Sequence, residues 1–469
     1  MTDFGVIPPP LETASSIRFR QSRIESAPLE IYLKLRRKYR TSFLLESATG
    51  PRKLAEYSFI GFDPDRKLIV HDGEATLETR DGTRDTVKEV KDPFQLLRTV
   101  LPKIRRVPPV PRFAGGAVGH ISYEGIQYFE DLHLRHHDAT GFPDLEFGIY
   151  SDGLVFDHRS GVSYYFTFGN DRLDELEEAC KGSDDASELA ASGPSTNLPQ
   201  TPFEEAVKTA KDYIYAGDIF QVVLSRRTDL TVKGDLGLFY RALRSVNPSP
   251  YMYFLTQGDR QIIGSSPEML VRVEDQRVET FPIAGTRPVV PGEAERVRLA
   301  EELRQDPKER AEHLMLVDLA RNDLGRVSKF GSIRVEDFMN VQRFSHVQHM
   351  VSRVTGELRE GLDAFDAMRA VFPAGTVSGA PKVRAMEIID ELEPSRRGPY
   401  AGAVGYFSCT GDADFAITIR TLLATGDRVS VQAGAGIVAD SIPEREFEET
   451  EKKAAALLKA LALAEKPTP

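Results

Sequence analysis

Short β-like runs and long helical runs follow one another irregularly along this chain, and that irregularity limits its fold more than any other feature. Beyond a polar stretch at 182–200 (GSDDASELAASGPSTNLPQ), β-like runs at 220–226, 251–256, 261–264 and 429–432 alternate with helices of unequal length. A doubly wound parallel sheet needs regular strand–helix alternation, so the pattern predicts an α+β chain. The polar stretch contains Gly, Pro and small residues and reads as an exposed linker. Before it, β-like runs such as 67–71 and 162–168 mix with turns. The expected organisation is an N-terminal region at 1–181, a linker at 182–200 and a second domain at 201–465. That division suits 469 residues, too many for one ordinary core.

Bulk charge narrows the partners. A net charge of −11 argues against nucleic acid, because phosphate binding needs a basic surface; a local basic pocket for a small anion is still allowed. Cys180 and Cys409 are the two cysteines, far apart in sequence, so neither a disulfide framework nor a thiolate metal site is expected. Residues 1–10 carry an acid and several prolines rather than a basic and then apolar run, and 454–464 is too short to span a bilayer. Cytoplasmic residence without membrane contact is the expectation.

Local signals set several helix ends. Thr201-Pro-Phe-Glu204 and Ser441-Ile-Pro-Glu444 read as capping boxes, Gly217 as a helix stop, and Asp306-Pro-Lys-Glu309 as the start of a helix running to Leu324. Gly434-Ala435-Gly436 resembles a dinucleotide-binding turn, but no helix signal begins on these glycines, so they read instead as backbone open to an anionic ligand.

Two helices carry carboxylates in line with their apolar stripes. Glu309 and Glu312 share a face that continues through Leu316, Leu319 and Ala320. Glu446, Glu449 and Lys453 share a face that continues through Leu457 and Leu461. Unpaired buried carboxylates are costly, and a cation shared between the faces would relieve that cost. An all-oxygen set suits Mg²⁺. Solvated helix faces, neighboured by Arg310, Arg445 and Lys452, explain the same spacing, and periodicity does not choose between the two.

Larger blocks bring in a family. Gly217-Asp-Ile-Phe-Gln221, Pro282-Ile-Ala-Gly-Thr-Arg287, the run from Glu312 to Asp323, Pro373-Ala-Gly-Thr-Val-Ser-Gly-Ala-Pro-Lys382 and the run from Gly434 to Thr450 resemble the signature blocks of the chorismate-utilising enzymes, in the family's order. Leu44-Leu-Glu-Ser47 and Pro248-Ser-Pro-Tyr-Met252 are similar to the blocks with which the anthranilate synthase branch binds tryptophan as feedback inhibitor. The resemblance implies an α/β sandwich of two large antiparallel sheets flanked by helices. It implies Mg²⁺ ligated by Glu312 and Glu449 and supported by Glu309 and Glu446. Arg420 and Tyr400 are implied to grip the substrate's enolpyruvyl carboxylate. Gly285, Thr286, Gly434, Ala435, Gly436 and Lys453 are implied to line the substrate site, and Thr376 to reach into it. Glu268 corresponds to the general acid. His349 reads from sequence as a core histidine among apolar helical positions, whereas the resemblance assigns it to pyruvate elimination; His313 receives no role and reads as structural. Ser47, Pro250, Tyr251 and Met252 are the implied inhibitor contacts.

Two positions select among the family's reactions. Branches that add water place a lysine where Gln221 stands, since water needs a base and neutral ammonia does not. The aminodeoxychorismate branch places a lysine at the position of Ala284. The resemblance therefore implies amination of chorismate followed by loss of pyruvate, as in the anthranilate synthase branch. A chorismate- or tryptophan-sensing relative without turnover is the non-enzyme alternative. No glutaminase motif occurs in the chain, so ammonia is expected from a separate glutamine amidotransferase subunit in a heterotetramer.

Overall fold

The computed structural model describes residues 16–24, 26–47, 56–105, 111–136, 140–181, 188–343 and 347–465. Two twelve-stranded sheets dominate them, and every strand pairing is antiparallel. Strand Thr41–Glu46 shows why the sequence builds a sandwich. Its side chains alternate between faces, so Phe43 enters an aromatic layer with Phe113 and with Tyr150 and Tyr406 of the second sheet, while Leu44 packs under helices on the other side. Tyr253 and Phe254 divide in the same way, as do Tyr406 and Phe407. Strands buried on both faces read as near-continuous apolar runs, which is how 251–256 stood out in the sequence.

Helices Pro28–Lys38, Leu236–Val246 and Pro443–Ala464 cover the first sheet. Helices Pro93–Val100, Gln200–Ala216, Pro307–Gly325, Ala364–Val371 and Lys382–Leu392 join the largest core cluster with strands of the second. This is the expected α+β sandwich.

Both sheets run through both halves of the sequence. Thr41–Glu46 pairs with Tyr251–Gln257 in one sheet, and Gly116–Ile121 pairs with Ala403–Ser408 in the other. Within the stretch read as a linker, Leu189–Thr196 is an edge strand on Gln221–Gly234. Its small polar side chains are mostly exposed, as an edge strand allows, so composition alone mistook it for a tether. Residues 182–187 lie outside the described residues.

Helix ends follow the sequence in part. Gly217 closes its helix in the left-handed region at φ 85°, and Asp306 accepts hydrogen bonds from the amides of Lys308 (3.0 Å) and Glu309 (3.3 Å). The two capping boxes do not form. The first helix starts two residues early, at Gln200 with Pro199 as its cap position, and the Gln200 side-chain amide donates to Glu204 at 2.8 Å. Ser441 accepts from the Val438 amide at 3.0 Å, closing the preceding turn, and Ile442 becomes the cap position. Gly434 and Gly436 lie within strand Arg428–Ile437, well before the next helix, so the nucleotide-type turn is absent as expected. No helix among the described residues is long and apolar enough to cross a membrane.

Candidate active site

The chain crosses between the sheets at several places, and the candidate site is built on two neighbouring crossovers. Arg260–Ser266 hands over to Met269–Glu274 through Glu268, and Ala413–Ile417 returns to Thr421–Thr425 through Arg420. The crossovers are bonded to each other: the Ile417 amide donates to the Glu268 carbonyl and the Ser265 amide to the Arg420 carbonyl, both at 3.1 Å. Arg420 pays for its place with a positive φ of 53°, uncommon for a residue with a side chain.

Glu268 is buried, and burial pushes its carboxyl up to about 8 even though the Thr376 hydroxyl and the charge of Lys453 pull the other way. Thr376 Oγ1 donates to Glu268 Oε1 at 2.9 Å from the short turn Gly375–Val377. A Cβ at Gly375 would meet Leu319 Cδ2 at 2.1 Å, so Leu319 packs directly on this turn and would have to shift for any larger residue. A cavity of about 40 Å³ lies against Glu268 and Thr376, walled by Phe281, Leu316, Leu319 and Asp323.

Arg420 makes one long bond, from Nη1 to the Lys453 carbonyl at 3.3 Å, and no carboxylate among the described residues pairs with it. Burial lowers its pKa, opposed by Tyr400 and Glu449. A buried guanidinium without a carboxylate suits an incoming one. Tyr400 is buried nearby, and its hydroxyl would stand 2.9 Å from a Cβ at Gly434. At Gly436 a Cβ would meet Gln221 Nε2 at 2.6 Å, so both glycines keep this strand open beside polar side chains. Ala435 between them points into the core. Gln221 Oε1 is buried and has no protein partner. Lys453 Nζ bridges the Gly434 carbonyl (2.9 Å) and Glu449 (2.7 Å).

The glutamates of Pro307–Gly325 and Pro443–Ala464 lie close enough for charges on one helix to act on carboxylates of the other. Burial raises Glu312, and the charges of Glu309 and Glu449 raise it further; burial also raises Glu446, with Glu449 adding to it. Lys308 lowers both. Two of the four already hold cations: Glu309 pairs with Arg287 at 3.1 Å and Glu449 with Lys453. No three of these carboxylates bring oxygens within 4.8 Å of one another; among the described residues that closeness occurs at His71, Asp72 and Asp144. There Asp144 is already bonded to the Tyr128 hydroxyl (2.8 Å) and the Asp72 amide (2.9 Å). The donor chemistry at the glutamates nevertheless fits a hard divalent cation, which would neutralise like charges that burial penalises.

His349 lies on strand Val347–Glu357, not on a helix, with Thr286 as its cross-strand partner. Its alternating neighbours are buried strand positions that a helical reading of the apolar run misassigned. A carbonyl only accepts, so the 2.9 Å contact between Nδ1 and the Gly285 carbonyl puts the proton on Nδ1 and makes Nε2 the unprotonated nitrogen of the neutral ring. The Thr286 hydroxyl lies 3.1 Å from the same nitrogen. Burial and the Arg420 charge lower the pKa of His349, keeping it neutral. Gly285 has φ 65°, and a Cβ there would strike Leu303 and Glu309. His313 is fully buried against Ser352 Oγ at 2.7 Å, a structural post as expected.

The four expected inhibitor contacts converge elsewhere. Ser47, Pro250, Tyr251 and Met252 line one cavity of about 60 Å³ between the sheets. Arg272, Tyr406 and Asp414 complete it, and sequence reasoning missed them because a charge inside an apolar strand carries no local signature. Arg272 and the Tyr251 hydroxyl both bond Asp414 at 2.9 Å, whereas Ser47 Oγ is buried without a partner. Tyr251 pairs with Ser266, two residues before Glu268.

Paired sheets, a buried acid at their crossover and an unclaimed arginine define an enzyme of the chorismate-binding class, and residues 40–459 match the family model described as chorismate binding enzyme. The chain belongs to that family. Its relatives named anthranilate synthase component 1 include that of Methanothermobacter marburgensis, 48% identical over 98% of this chain and 97% of the relative. That of Aquifex aeolicus is 45% identical over 93% and 92%. The crystal structure of anthranilate synthase component I from Streptococcus pneumoniae superposes with a TM-score of 0.78 at 40% identity, covering 86% of this chain and 92% of that one. The menaquinone-specific isochorismate synthase of Escherichia coli shares the fold, with a TM-score of 0.72 at 20% identity over 98% and 97%.

Proposed function

We propose that this chain is the chorismate-using large subunit of an anthranilate synthase, converting chorismate and ammonia to anthranilate, pyruvate and water. The observation that carries the reading is Glu268, a carboxyl held protonated by burial beside Thr376, on the crossover next to an arginine with no carboxylate of its own. Arg420 and Tyr400 grip the enolpyruvyl carboxylate. Glu312 and Glu449 would hold Mg²⁺, with Glu309 and Glu446 in support. When bound, Mg²⁺ neutralises the ring carboxylate and polarises the ring toward a nucleophile.

Glu268 gives its proton to the leaving C4 hydroxyl, which departs as water. The buried Gln221 Oε1 accepts a hydrogen bond from ammonia and orients its lone pair toward the ring. An amide cannot deprotonate water, and Ala284 offers no amine for covalent attack, which favours ammonia addition over the family's other reactions. His349 Nε2 then takes the proton from the carbon that bears the new amine. The bond between the ring carbon and the enolpyruvyl oxygen breaks, the ring becomes aromatic, and the departing enolpyruvate takes up one proton at its methylene carbon, balancing the one removed from the ring, to become pyruvate.

Ammonia comes from a separate glutamine amidotransferase subunit in a cytoplasmic heterotetramer, a reading supported by relatives that are named as a first component. Tryptophan fills the cavity of Ser47 and Met252 as feedback inhibitor. Replacing Ser47 by Ala removes one hydrogen bond to it, so the tryptophan concentration for half inhibition should rise about three- to tenfold, with uninhibited kcat unchanged. Met252→Thr should do the same by opening the packed wall. Inhibition curves that coincide with wild type, or a wild-type enzyme indifferent to tryptophan, would remove this assignment. The function is tested directly by mixing purified chain, chorismate, Mg²⁺ and ammonium. Fluorescent anthranilate is expected, and isochorismate, salicylate or aminodeoxychorismate in its place would overturn the reading.

A further inference from the structure

Arg287 joins the substrate backbone to the carboxylate helix. It stands one residue beyond Thr286 and is mostly buried, and its guanidinium reaches three acids: Glu302 at 3.1 Å, Asp306 at 3.2 Å and Glu309 at 3.1 Å. Nη1 also donates to the Thr286 carbonyl at 3.0 Å, which closes the side chain onto its own strand. Asp306 caps the helix that carries Glu309 and Glu312. Glu309 is tucked so closely over Gly285 that a Cβ there would come within 2.8 Å of Oε2. The Gly285 carbonyl in turn holds His349.

We infer that Arg287 is a positioning residue that occupies Glu309 until a divalent cation competes for it, and so ties cation loading to the seating of Gly285 and Thr286. The inference rests on the cation reading given above. A guanidinium and a divalent cation cannot both claim the full charge of one carboxylate, so each weakens the other's hold. Loading the site loosens Arg287 from Glu309, while its bond to the Thr286 carbonyl and its pairs with Glu302 and Asp306 keep the strand that carries Thr286 seated for the substrate. Glu302 and Asp306 share the guanidinium charge and keep its grip on Glu309 moderate.

The full-length chain is titrated with Mn²⁺ alone, followed by electron paramagnetic resonance, and chorismate KM and kcat are measured separately at saturating Mg²⁺. Arg287→Gln should bind Mn²⁺ about three- to tenfold tighter than wild type, because a competing positive charge is gone. Its chorismate KM should rise about tenfold while kcat moves less. Glu302→Gln, at a half-exposed position that does not threaten folding, should act with the opposite sign and weaken Mn²⁺ about twofold or more, since Arg287 then bears harder on Glu309. Unchanged or weaker Mn²⁺ binding in Arg287→Gln, or unchanged or tighter binding in Glu302→Gln, would overturn the role of Arg287. A wild-type chain that binds no Mn²⁺ would instead overturn the cation reading on which it rests.

Discussion

Glu268→Gln should lower kcat by about two to four orders of magnitude, the range for loss of a positioned general acid, while leaving cation binding in place. Glutamine has nearly the same shape and its amide oxygen still accepts from Thr376, so the loss isolates the proton. Wild-type enzyme carries a matching pH signature. The protonated carboxyl is the working form and burial holds it to about 8, so turnover per free ammonia should hold below that pH. It should decline as pH rises through it, approaching tenfold per unit. The expectation fails if rates normalised to free ammonia stay flat through pH 9, or if the glutamine variant turns over within threefold of wild type.

Glu312→Gln and Glu449→Gln should each reduce turnover to background and weaken Mg²⁺ at least a hundredfold, as removal of a direct ligand does. Glu309→Gln and Glu446→Gln should cost about ten- to a hundredfold in affinity, the usual cost of losing a supporting contact. Calorimetric titration of Mg²⁺ into the four variants reads both tiers. Equal affinities across all four, with activity intact, would return these faces to the status of solvated helix.

The glutamate faces show how far local pattern reaches. Spacing placed Glu309 with Glu312 and Glu446 with Glu449, and the fold brings the two pairs close enough for their charges to act on each other. The same spacing also put Lys453 on the face of Glu449, which it holds, but said nothing about Arg287, which comes from strand Ile283–Pro288 and already holds Glu309. Strand Val347–Glu357 marks another boundary. An apolar run with a single histidine looks alike in helical and extended form, and pairing with Ile283–Pro288 decides between them. Both crossovers were invisible as such, because Ser265-Ser-Pro-Glu268 reads as a turn whether or not the next strand changes sheet. The cavity proposed for the inhibitor was legible on one side only: Ser47 and Met252 belong to recognisable blocks, whereas Arg272 and Asp414 are charges set inside apolar strands.

The shared sheets have a consequence for how a chain under the proposed feedback control could lose it. Were the first 181 residues an appendage, deleting them would give a desensitised enzyme in a single step. Here deletion would strip Thr41–Glu46 from Tyr251–Gln257 and Gly116–Ile121 from Ala403–Ser408, baring two raw sheet edges and an aromatic layer to water. On the proposed reading, sensor and catalyst are woven as one cloth, so insensitivity would have to arrive thread by thread, through single side chains around Ser47 and Met252.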